Sequence, residues 1–247
     1  MPNPANAMAV PPSEVARLQP TPVVPALRFV RPFFDRVLPA LLFGGLALSK
    51  VRGLLQLWTT PVASDLQAWL THALSLGHVC LTLAFTALLA TLFATRRTPV
   101  GERAGPLVMA VALAGTFIMW IALAQPTTTN DWRLLAPSDV VAAVGLAFAM
   151  YALGALRFCF GIAPEARGLV TDGAYRFVRH PVYLGEFVAL FGALLPVLAP
   201  FTALIFVAFC SLQAVRASLE ERVLTDTFAD YAAYRLRTPA LVPWPRP

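Results

Sequence analysis

Two polar clusters interrupt an otherwise apolar chain, and both contain groups that bind charged ligands. They comprise Arg179, His180, Tyr183 and Glu186 in the first cluster and the adjacent pair Glu220–Glu221 in the second. Arginine pairs with carboxylates, and a carboxylate pairs with an ammonium group or with ribose hydroxyls. Aromatic and apolar walls bind a purine ring. The clusters together therefore predict a site for a ligand with both charge signs and an aromatic part.

S-adenosylmethionine is a ligand that meets these requirements. It carries a carboxylate, an ammonium group, a ribose and an adenine, and its sulfonium is attracted to aromatic faces. The sequence has no G-x-G-x-x-G motif between a strand and a helix, so a soluble nucleotide-binding fold is not predicted. Each cluster also has an ordinary explanation. Glu186 could be an interfacial carboxylate in contact with water, and Glu220–Glu221 could lie on a solvated helix face.

Turn residues place the first cluster at the start of a helix. Asp172–Gly173 is a turn dipeptide, and its glycine tolerates a positive φ. Pro181 suits the first turn of a helix and keeps His180 out of the helical conformation. His180 is therefore predicted at the mouth of an apolar helix, with Tyr183 and Glu186 on the turns that follow.

Two arginines are candidate partners for the carboxylates. Either Arg179 or Arg216 could pair with Glu186, which lies just inside an apolar segment. On a helix, Glu220 and Glu221 point about 100° apart. One of them could therefore face inward while the other pairs with Arg216 on the preceding turn.

The composition is that of a membrane protein. The 247 residues are 58% hydrophobic and 13% charged, which is too apolar for a soluble chain of this length. The net charge of +6 comes from arginines scattered through loops, without the basic stripe and interleaved aromatics of a nucleic-acid-binding surface. The cysteines show no CxxC or Cys/His spacing, so neither a disulfide nor a metal site is predicted. They are Cys80, Cys159 and Cys210.

Six apolar segments are long enough to cross the hydrocarbon core, which takes about 20 residues. They are 37–58, 68–94, 106–125, 139–160, 182–199 and 201–219. Lys50 and Arg52 interrupt the first segment, and Pro200 starts the second arm of a tight hairpin formed by the last two. The predicted fold class is an all-α, polytopic transmembrane helix bundle, with a C-terminal helical hairpin and a cytoplasmic cofactor-binding segment.

Arginine-rich loops alternate with loops that contain few arginines. The amino-terminal arm, loop 95–105, loop 161–181 and the carboxy-terminal tail are arginine-rich, whereas loops 59–67 and 126–138 offer only Arg133. The positive-inside rule then places both termini on the cytoplasmic side. Both polar clusters fall on that side, where nucleotide-derived cofactors are available.

Two motifs occur in order along the chain, Gly173-Ala-Tyr-Arg-Phe-Val-Arg-His-Pro-Val-Tyr-Leu-Gly185 and Glu220-Glu221-x-x-Leu224-x-x-x-Phe228-x-x-Tyr231-x-x-Tyr234. Together they resemble the isoprenylcysteine carboxyl methyltransferase family, which belongs with the phospholipid N-methyltransferases among integral membrane methyltransferases. Upstream, residues 162–170 are similar to the bacterial branch, which implies a bacterial inner membrane. The resemblance covers residues 150–243 and is specific, because two separated motifs occur at suitable spacing on one predicted membrane face.

The resemblance implies a cytoplasm-facing pocket for S-adenosylmethionine, with a lateral opening for a lipid-like acceptor. The cofactor-binding residues that it implies are Gly173, Tyr175, Arg179, His180, Pro181, Tyr183, Glu220 and Glu221. The predicted catalytic residues are His180, Glu186 and Arg179. The predicted domains are a disordered Pro-rich arm with an interfacial segment (1–36), accessory spans (37–135) and a methyltransferase core with the cofactor site (136–247).

One departure from the family pattern concerns Arg157. The bacterial branch often has Gly-Arg-x-Phe at the end of the preceding span, whereas this chain has Leu156-Arg-Phe-Cys-Phe160. The arginine is displaced by one position, which is about 100° around a helix. Its contact with a ligand is therefore left open.

The predicted reaction is direct methyl transfer to a lipid-like or isoprenoid acceptor, with carboxyl O-methylation favoured. A carboxylate acceptor needs no general base, whereas an amine or a thiol would have to lose a proton to His180 or Glu186. Prenylcysteine, an isoprenoid acid, a phospholipid amine and a small thiol all remain open as acceptors. The alternative functions are a sterol-reductase-type membrane enzyme that uses NADPH, a transporter, and a non-catalytic membrane protein. The lipid bilayer is the predicted surrounding partner.

Overall fold

The computed structural model describes residues 33–62, 65–100, 104–129 and 131–242. Within these ranges the ordered elements are helices. They are α1 (Leu38–Thr59), α2 (Leu66–Thr95), α3 (Pro106–Phe117), α4 (Met119–Leu123), α5 (Trp132–Leu156), α6 (Pro181–Leu194), α7 (Pro200–Thr227) and α8 (Tyr231–Arg237). A π-helical turn precedes α1, and 3-10 turns occupy Arg157–Cys159, Gly173–Arg176 and Leu195–Val197. The predicted all-α polytopic bundle is confirmed. Most of the predicted Pro-rich arm lies outside the described residues.

Five of the described segments are long and apolar enough to cross a membrane. They are Leu38–Thr59, Leu66–Thr95, Pro106–Leu123, Trp132–Cys159 and Pro200–Thr227. The predicted span 182–199 corresponds to the apolar stretch Pro181–Val197, which is shorter than each of these five segments. At 1.5 Å per residue it extends about 25 Å, less than the hydrocarbon thickness of about 30 Å. The bundle therefore has five full-length spans and one shorter helix in place of the six predicted spans.

Two helix boundaries differ from the sequence prediction. Helix α5 begins at Trp132, seven residues before the predicted start, because Asp131 accepts a hydrogen bond from the Arg133 amide at 3.0 Å and caps the helix. Pro137 lies inside this helix. Helix α7 continues to Thr227, eight residues past the predicted end. At 28 residues it is about 42 Å long. Its last turns, which hold the second polar cluster, therefore extend beyond the apolar core of the bundle.

Helices α5 and α6 pack with their backbones in contact. A Cβ on Gly145 would lie 2.2 Å from the Ala189 nitrogen, and a Cβ on Gly192 would lie 2.4 Å from the Ala142 nitrogen. Small residues permit such approach between apolar helices, where close packing replaces the hydrophobic effect as the attractive force. The contact sets the position of α6, and thereby the position of the first polar cluster at its start.

The loops at one end of the bundle are joined by hydrogen bonds. The Arg97 amide donates to the Phe158 carbonyl at 2.7 Å, and the Val100 amide donates to the Ala166 carbonyl at 2.7 Å. Arg167 reinforces this junction, since it contacts the Glu165 carboxylate at 2.5 Å and the Arg97 carbonyl at 3.3 Å. The loops that were predicted to share a membrane face therefore meet on one face.

Candidate functional site

The start of α6 is tied to the chain after α8. The amides of Arg179 and His180 donate to the carbonyls of Pro239 (2.8 Å) and Ala240 (3.0 Å). His180 has φ −123° and ψ 58°, which is outside the helical region, and Pro181 is the first residue of α6. Pro181 therefore starts the helix and keeps His180 out of the helical conformation, as predicted. The carboxy-terminal segment is held directly beside the two side chains that could bind a ligand.

Glu221 is the centre of a charged network. Its Oε1 accepts from Arg179 Nε at 2.8 Å and lies 3.0 Å from His180 Nε2. Its Oε2 lies 3.4 Å from Arg235 Nε. A further nitrogen of Arg179, Nη1, donates to the Thr238 carbonyl at 2.6 Å. Because Glu221 bonds to both side chains and Arg179 also bonds to a backbone carbonyl, the network holds Arg179 and His180 in fixed orientations.

Glu220 has a different hydrogen-bond partner from Glu221, although its Oε2 also lies 3.9 Å from His180 Nδ1. The Tyr183 hydroxyl donates to Glu220 Oε1. The Tyr183 ring stacks on the His180 ring, with 5.6 Å between the centroids and 16° between the planes. Side-chain exposure is 26% for Glu220 and 14% for Glu221. The two adjacent carboxylates thus lie on opposite nitrogens of His180 and differ in their other partners, and Glu220 is the more exposed of the two.

Three tyrosines form a buried wall beside this network. The Tyr234 hydroxyl donates to the Tyr175 carbonyl at 2.8 Å, which joins α8 to the turn that begins at Gly173. Burial raises the pKa of Tyr175 and of Tyr234 well above the ordinary value of 10.0, and burial together with the nearby Glu221 charge raises the pKa of Tyr231 to about 12. All three phenols are therefore neutral donors at physiological pH. The Tyr231 hydroxyl is buried and has no hydrogen-bond partner in the described part of the chain.

A second set of polar side chains lies deeper in the bundle. Gln213 donates through Nε2 to Glu186 Oε2 at 2.5 Å and accepts through Oε1 from Arg216 Nη1 at 2.7 Å. Arg216 Nη2 donates to the Ile162 carbonyl at 3.0 Å. The contact partner of Glu186 is therefore Gln213, and neither predicted arginine touches it directly. Arg216 likewise bonds to Gln213 and Ile162, not to Glu220.

Members of both sets of side chains line one cavity of about 560 Å³. Its polar end contains Arg179, His180, Tyr183 and Glu220, and Glu186 and Arg216 lie further in. The remaining wall is mostly apolar and comes from several helices. Among its residues are Phe43, Leu46, Phe85, Leu89, Phe93, Trp120, Leu153 and Leu190. A volume of 300–1,000 Å³ with a few convergent polar groups is typical of a small-molecule site.

The structure brings most of the sequence-predicted site residues together. Tyr175, Arg179, His180, Tyr183, Glu186 and Glu220 line the cavity. Glu221 supports two of them, Pro181 begins α6, and Gly173 has the positive φ of 61° that its turn was predicted to need. Arg157 is exposed and begins a 3-10 turn. It is not among the cavity-lining residues.

The sequence predicted nothing for Gln213, and it indicated Arg216 only as a partner of the carboxylates and Tyr231 only as part of a motif. Gln213 is 1% exposed and lies within an apolar helix. A polar residue at the interior of a membrane segment is a recognisable signal, because it has to find a partner inside the bundle. The buried, unpartnered hydroxyl of Tyr231 could not be read from the sequence.

The same part of the chain matches a known family. Residues 134–226 match the sequence profile of the isoprenylcysteine carboxyl methyltransferase (ICMT) family. This segment is therefore similar to the ICMT family over 93 of the 247 residues. The match runs through most of α5, all of α6 and most of α7, and it therefore includes both polar clusters. The resemblance drawn from the two motifs is confirmed.

Two proteins are similar to this chain. Methanethiol S-methyltransferase 1 of Bradyrhizobium diazoefficiens is 31% identical over 167 residues, which cover 60% of this chain and 56% of that protein. The cobalt-zinc-cadmium resistance protein CzcN of Cupriavidus metallidurans is 36% identical over 77 residues, which cover 30% of this chain and 35% of that protein. The match thus spans about half the length of the first relative and about a third of the second.

Proposed function

We propose that this chain is an integral membrane methyltransferase that takes its methyl group from S-adenosylmethionine. The observation that carries the proposal is the network of Arg179, His180 and Glu221, with Tyr183 and Glu220, at the polar end of an apolar cavity. Fixed groups of both charge signs beside aromatic rings match a zwitterionic cofactor with an aromatic base. The ICMT-family match supports the same activity.

The residues present fit this cofactor. Glu220 is the more accessible carboxylate and suits an ammonium group or a ribose hydroxyl, and Arg179 suits a carboxylate. The Tyr231 hydroxyl is a neutral, buried donor without a partner among the described residues. An unsatisfied buried donor of this kind is costly, and a group bound in the cavity would satisfy it. Tyr231 is therefore proposed as a further group that binds the cofactor.

The chain's own contribution to catalysis would be alignment and exclusion of water. S-adenosylmethionine supplies an activated methyl group on a sulfonium when it is bound. The Glu221 network holds Arg179 and His180 so that they bind and orient the cofactor. The apolar wall beyond Tyr183 keeps water away from the reacting atoms. Glu186, which lies in that wall, is placed to accept a proton from a protic acceptor.

The first proposed acceptor is a lipid-like or isoprenoid acid, methylated on its carboxylate. The long apolar part of the cavity, to which α1 and α2 contribute Phe43 and Phe85, suits an apolar chain. These helices, predicted as accessory spans, are proposed to form the acceptor wall, while residues 136–247 hold the cofactor. A second candidate is S-methylation of a thiol, which is favoured by the name of the Bradyrhizobium relative.

The proposed location is a bacterial inner membrane, with both termini and the cofactor site on the cytoplasmic side. The arginine-rich loops on the site face support this orientation. It would place the Glu221 network in the compartment that contains S-adenosylmethionine.

Calorimetric titration of the detergent-purified protein with S-adenosylmethionine tests the proposal, with Glu221→Gln as the variant. We expect binding by the parent and at least about tenfold weaker binding by the variant, since loss of one charged partner disorders Arg179 and His180. His180→Ala should act in the same direction. Glu14→Gln, which changes a carboxylate in the amino-terminal arm far along the chain from both clusters, is the control.

Two outcomes would count against the proposal. A folded parent protein that does not bind S-adenosylmethionine would overturn the cofactor assignment, and binding of NADPH in its place would favour the reductase. Unchanged affinity in both Glu221→Gln and His180→Ala would overturn the site assignment and leave the cofactor in place.

A further inference from the structure

A lysine lies inside the apolar helix α1 and lines the cavity. Lys50 follows the first residue of this helix, Leu38, by about 18 Å along the axis. Its side chain is half-buried and belongs to the cavity wall. Within the described residues it makes no side-chain hydrogen bond and no ion pair. A cation at such a position is costly without a partner and is by default a functional group.

A second polar side chain faces the same cavity from α2. The exposed imidazole of His78 belongs to the wall and has no hydrogen-bond partner in the described part of the chain. Two threonines on the same face of α2 differ from it, because their hydroxyls donate to backbone carbonyls one turn earlier. Thr82 donates to the His78 carbonyl and Thr86 to the Thr82 carbonyl, both at 2.9 Å. Lys50 and His78 are thus the polar groups of this part of the wall that a ligand can still satisfy.

Both groups lie away from the face that holds the candidate site. Phe43 of α1 stacks on Phe93 of α2, with 5.5 Å between the ring centroids, at the end of α2 that leads into loop 95–100. From this pair the lining residues continue about 22 Å along α2 to His78 and about 10 Å along α1 to Lys50. Because the two helices are antiparallel, both directions lead away from the arginine-rich loops.

Other helices show that the cavity is long. The groups proposed to bind the cofactor lie at the start of α6, whereas the lining residue Ala193 lies about 20 Å further along this helix than His180. Leu123, at the end of α4, lines the cavity too, and the connection that follows it bonds to the end of α6 through Thr128 and the Pro196 carbonyl. A long ligand that has one end at the cofactor therefore extends toward the part of the wall that contains Lys50 and His78.

A purely apolar ligand would leave these two groups unsatisfied. The ammonium and the imidazole would then face alkyl groups, which leaves their hydrogen-bonding capacity unused inside the membrane. A ligand with a carboxylate at its far end would pair with the ammonium in a charge-assisted hydrogen bond and would also accept from the imidazole. The chemistry of the wall thus favours a molecule that is polar at both ends and apolar between them.

We propose that Lys50 and His78 form a second polar subsite, which binds an acidic group at the far end of a long apolar acceptor. The inference rests on the proposed methyltransferase function and narrows its acceptor to molecules with two polar ends. One end receives the methyl group beside the cofactor, and the other is held by the ammonium and the imidazole. Both residues lie outside the segment 134–226 that matches the ICMT family, so the subsite belongs to the amino-terminal helices of this chain.

The test compares ligands that differ only at the far end. The pairs are hexadecanoic acid with hexadecanedioic acid, and hexadecanethiol with ω-mercaptohexadecanoic acid. Dissociation constants are measured in detergent for the parent and for Lys50→Met, which keeps a long unbranched side chain. We expect Lys50→Met to weaken binding of the ligand with the far carboxylate about tenfold in at least one pair, as for a hydrogen bond to a charged group. Binding of the other member of that pair should stay unchanged.

Two substitutions on the same helices are matched controls. Arg52→Met removes an exposed cation of α1 that does not line the cavity, and His72→Leu removes a histidine of α2 that lies outside its wall. Neither control should change any of the four dissociation constants. His78→Leu should weaken the same ligand as Lys50→Met by a smaller factor of about threefold, because a hydrogen bond between neutral groups contributes less.

Methyl transfer supplies a second readout. With the acceptor that carries the far carboxylate, Lys50→Met should raise KM about tenfold and leave kcat unchanged, since the subsite lies far from the reacting atoms. With the acceptor that lacks this group, both constants should equal those of the parent.

Each opposing result is distinct. Equal losses for both members of a pair would mean that Lys50→Met disturbs the wall, and unchanged constants would mean that the ammonium reaches the lipid headgroups instead. The same loss in Arg52→Met would indicate general attraction by charge. Each of these results, or a parent protein that binds none of the four ligands, would overturn the inference. Failure to bind S-adenosylmethionine would overturn the proposed function, and the ligand titrations are separate from that measurement.

Discussion

At the scale of single residues, adjacent side chains of the same type have different environments. Glu220 and Glu221 follow one another on α7, yet Glu220 accepts from the Tyr183 hydroxyl and Glu221 binds Arg179 and His180. The cause is the turn of about 100° between consecutive helical residues, which aims the two carboxylates at different neighbours. Removing one of them should therefore not be compensated by the other.

Arg157 carries backbone strain that a glycine would remove. It has φ 46° and ψ −120°, and it is the one positive φ of a non-glycine residue in the described ranges. Such a conformation costs about 1–3 kcal/mol for a residue with a Cβ. Because its side chain is exposed, Arg157→Gly should raise the free energy of unfolding by about 1 kcal/mol.

Thermal unfolding in detergent measures this effect. Arg176→Gly is the matched control, since Arg176 is an exposed arginine in a neighbouring 3-10 turn and has a negative φ. The control should gain no stability. A drop in stability for Arg157→Gly would show that its side chain makes a contact that matters.

At the scale of elements, the contact between α5 and α6 positions the site. Helix α6 carries His180, Tyr183 and Glu186 on successive turns, so a shift of α6 against α5 would move all three relative to α7. The close approach at Gly145 and Gly192 leaves no room for such a shift. Packing of this kind is rigid because neither backbone can yield without losing contacts on both sides.

Gly192→Ala should destabilise the bundle and weaken the site. The added Cβ would lie 2.4 Å from the Ala142 nitrogen, a distance that the backbones must open to accommodate. Overpacking of this kind costs about 1–3 kcal/mol. Gly154→Ala in α5 is the matched control, because its Cβ would meet nothing within 4 Å.

The measurements are thermal unfolding and S-adenosylmethionine affinity for both variants. We expect a lower melting temperature and weaker binding of S-adenosylmethionine for Gly192→Ala, and neither change for Gly154→Ala. Equal effects of the two substitutions would mean that the loss comes from helix propensity or lipid contact and not from the α5–α6 interface.

At the scale of the whole molecule, one face of the bundle collects most of the loop arginines and the groups of the candidate site. Loops 95–100 and 157–180 and the segment 238–240 are joined there by backbone hydrogen bonds. The opposite face is joined in part by the Thr128 amide, which donates to the Pro196 carbonyl at 2.7 Å. Charge on a single face is what an enzyme with a one-sided site needs, whereas a transporter needs polar groups along a path through the membrane.

Cysteine labelling tests the orientation of these faces. In a cysteine-free background, Thr127→Cys marks one face and Asp226→Cys marks the site face, and both positions are exposed. In intact spheroplasts of a bacterial host, a membrane-impermeant maleimide should label the first and should label the second only after permeabilisation. The reverse pattern would place the site outside the cytoplasm and remove its access to S-adenosylmethionine.

The sequence by itself determined the fold class of the protein and pointed to the location of its candidate site. Hydropathy and turn chemistry are local properties, so the apolar segments, the positive φ of Gly173 and the helix start at Pro181 could be read directly. The order of the two motifs was sufficient for the ICMT-family resemblance. The short α6 and the extension of α7 were missed, because helix ends depend on packing and not on apolarity alone.

Only the tertiary structure decided which side chains act together. Glu186 and Gln213 are 27 positions apart, and Arg216 and Ile162 are 54 positions apart. Several partners were available to each polar group in the sequence, and the choice among them depends on how the helices are rotated and how closely they approach. The α5–α6 contact and the pressure of α3 on Arg216 make that choice. Contacts between distant segments are set by this packing, which no local pattern encodes.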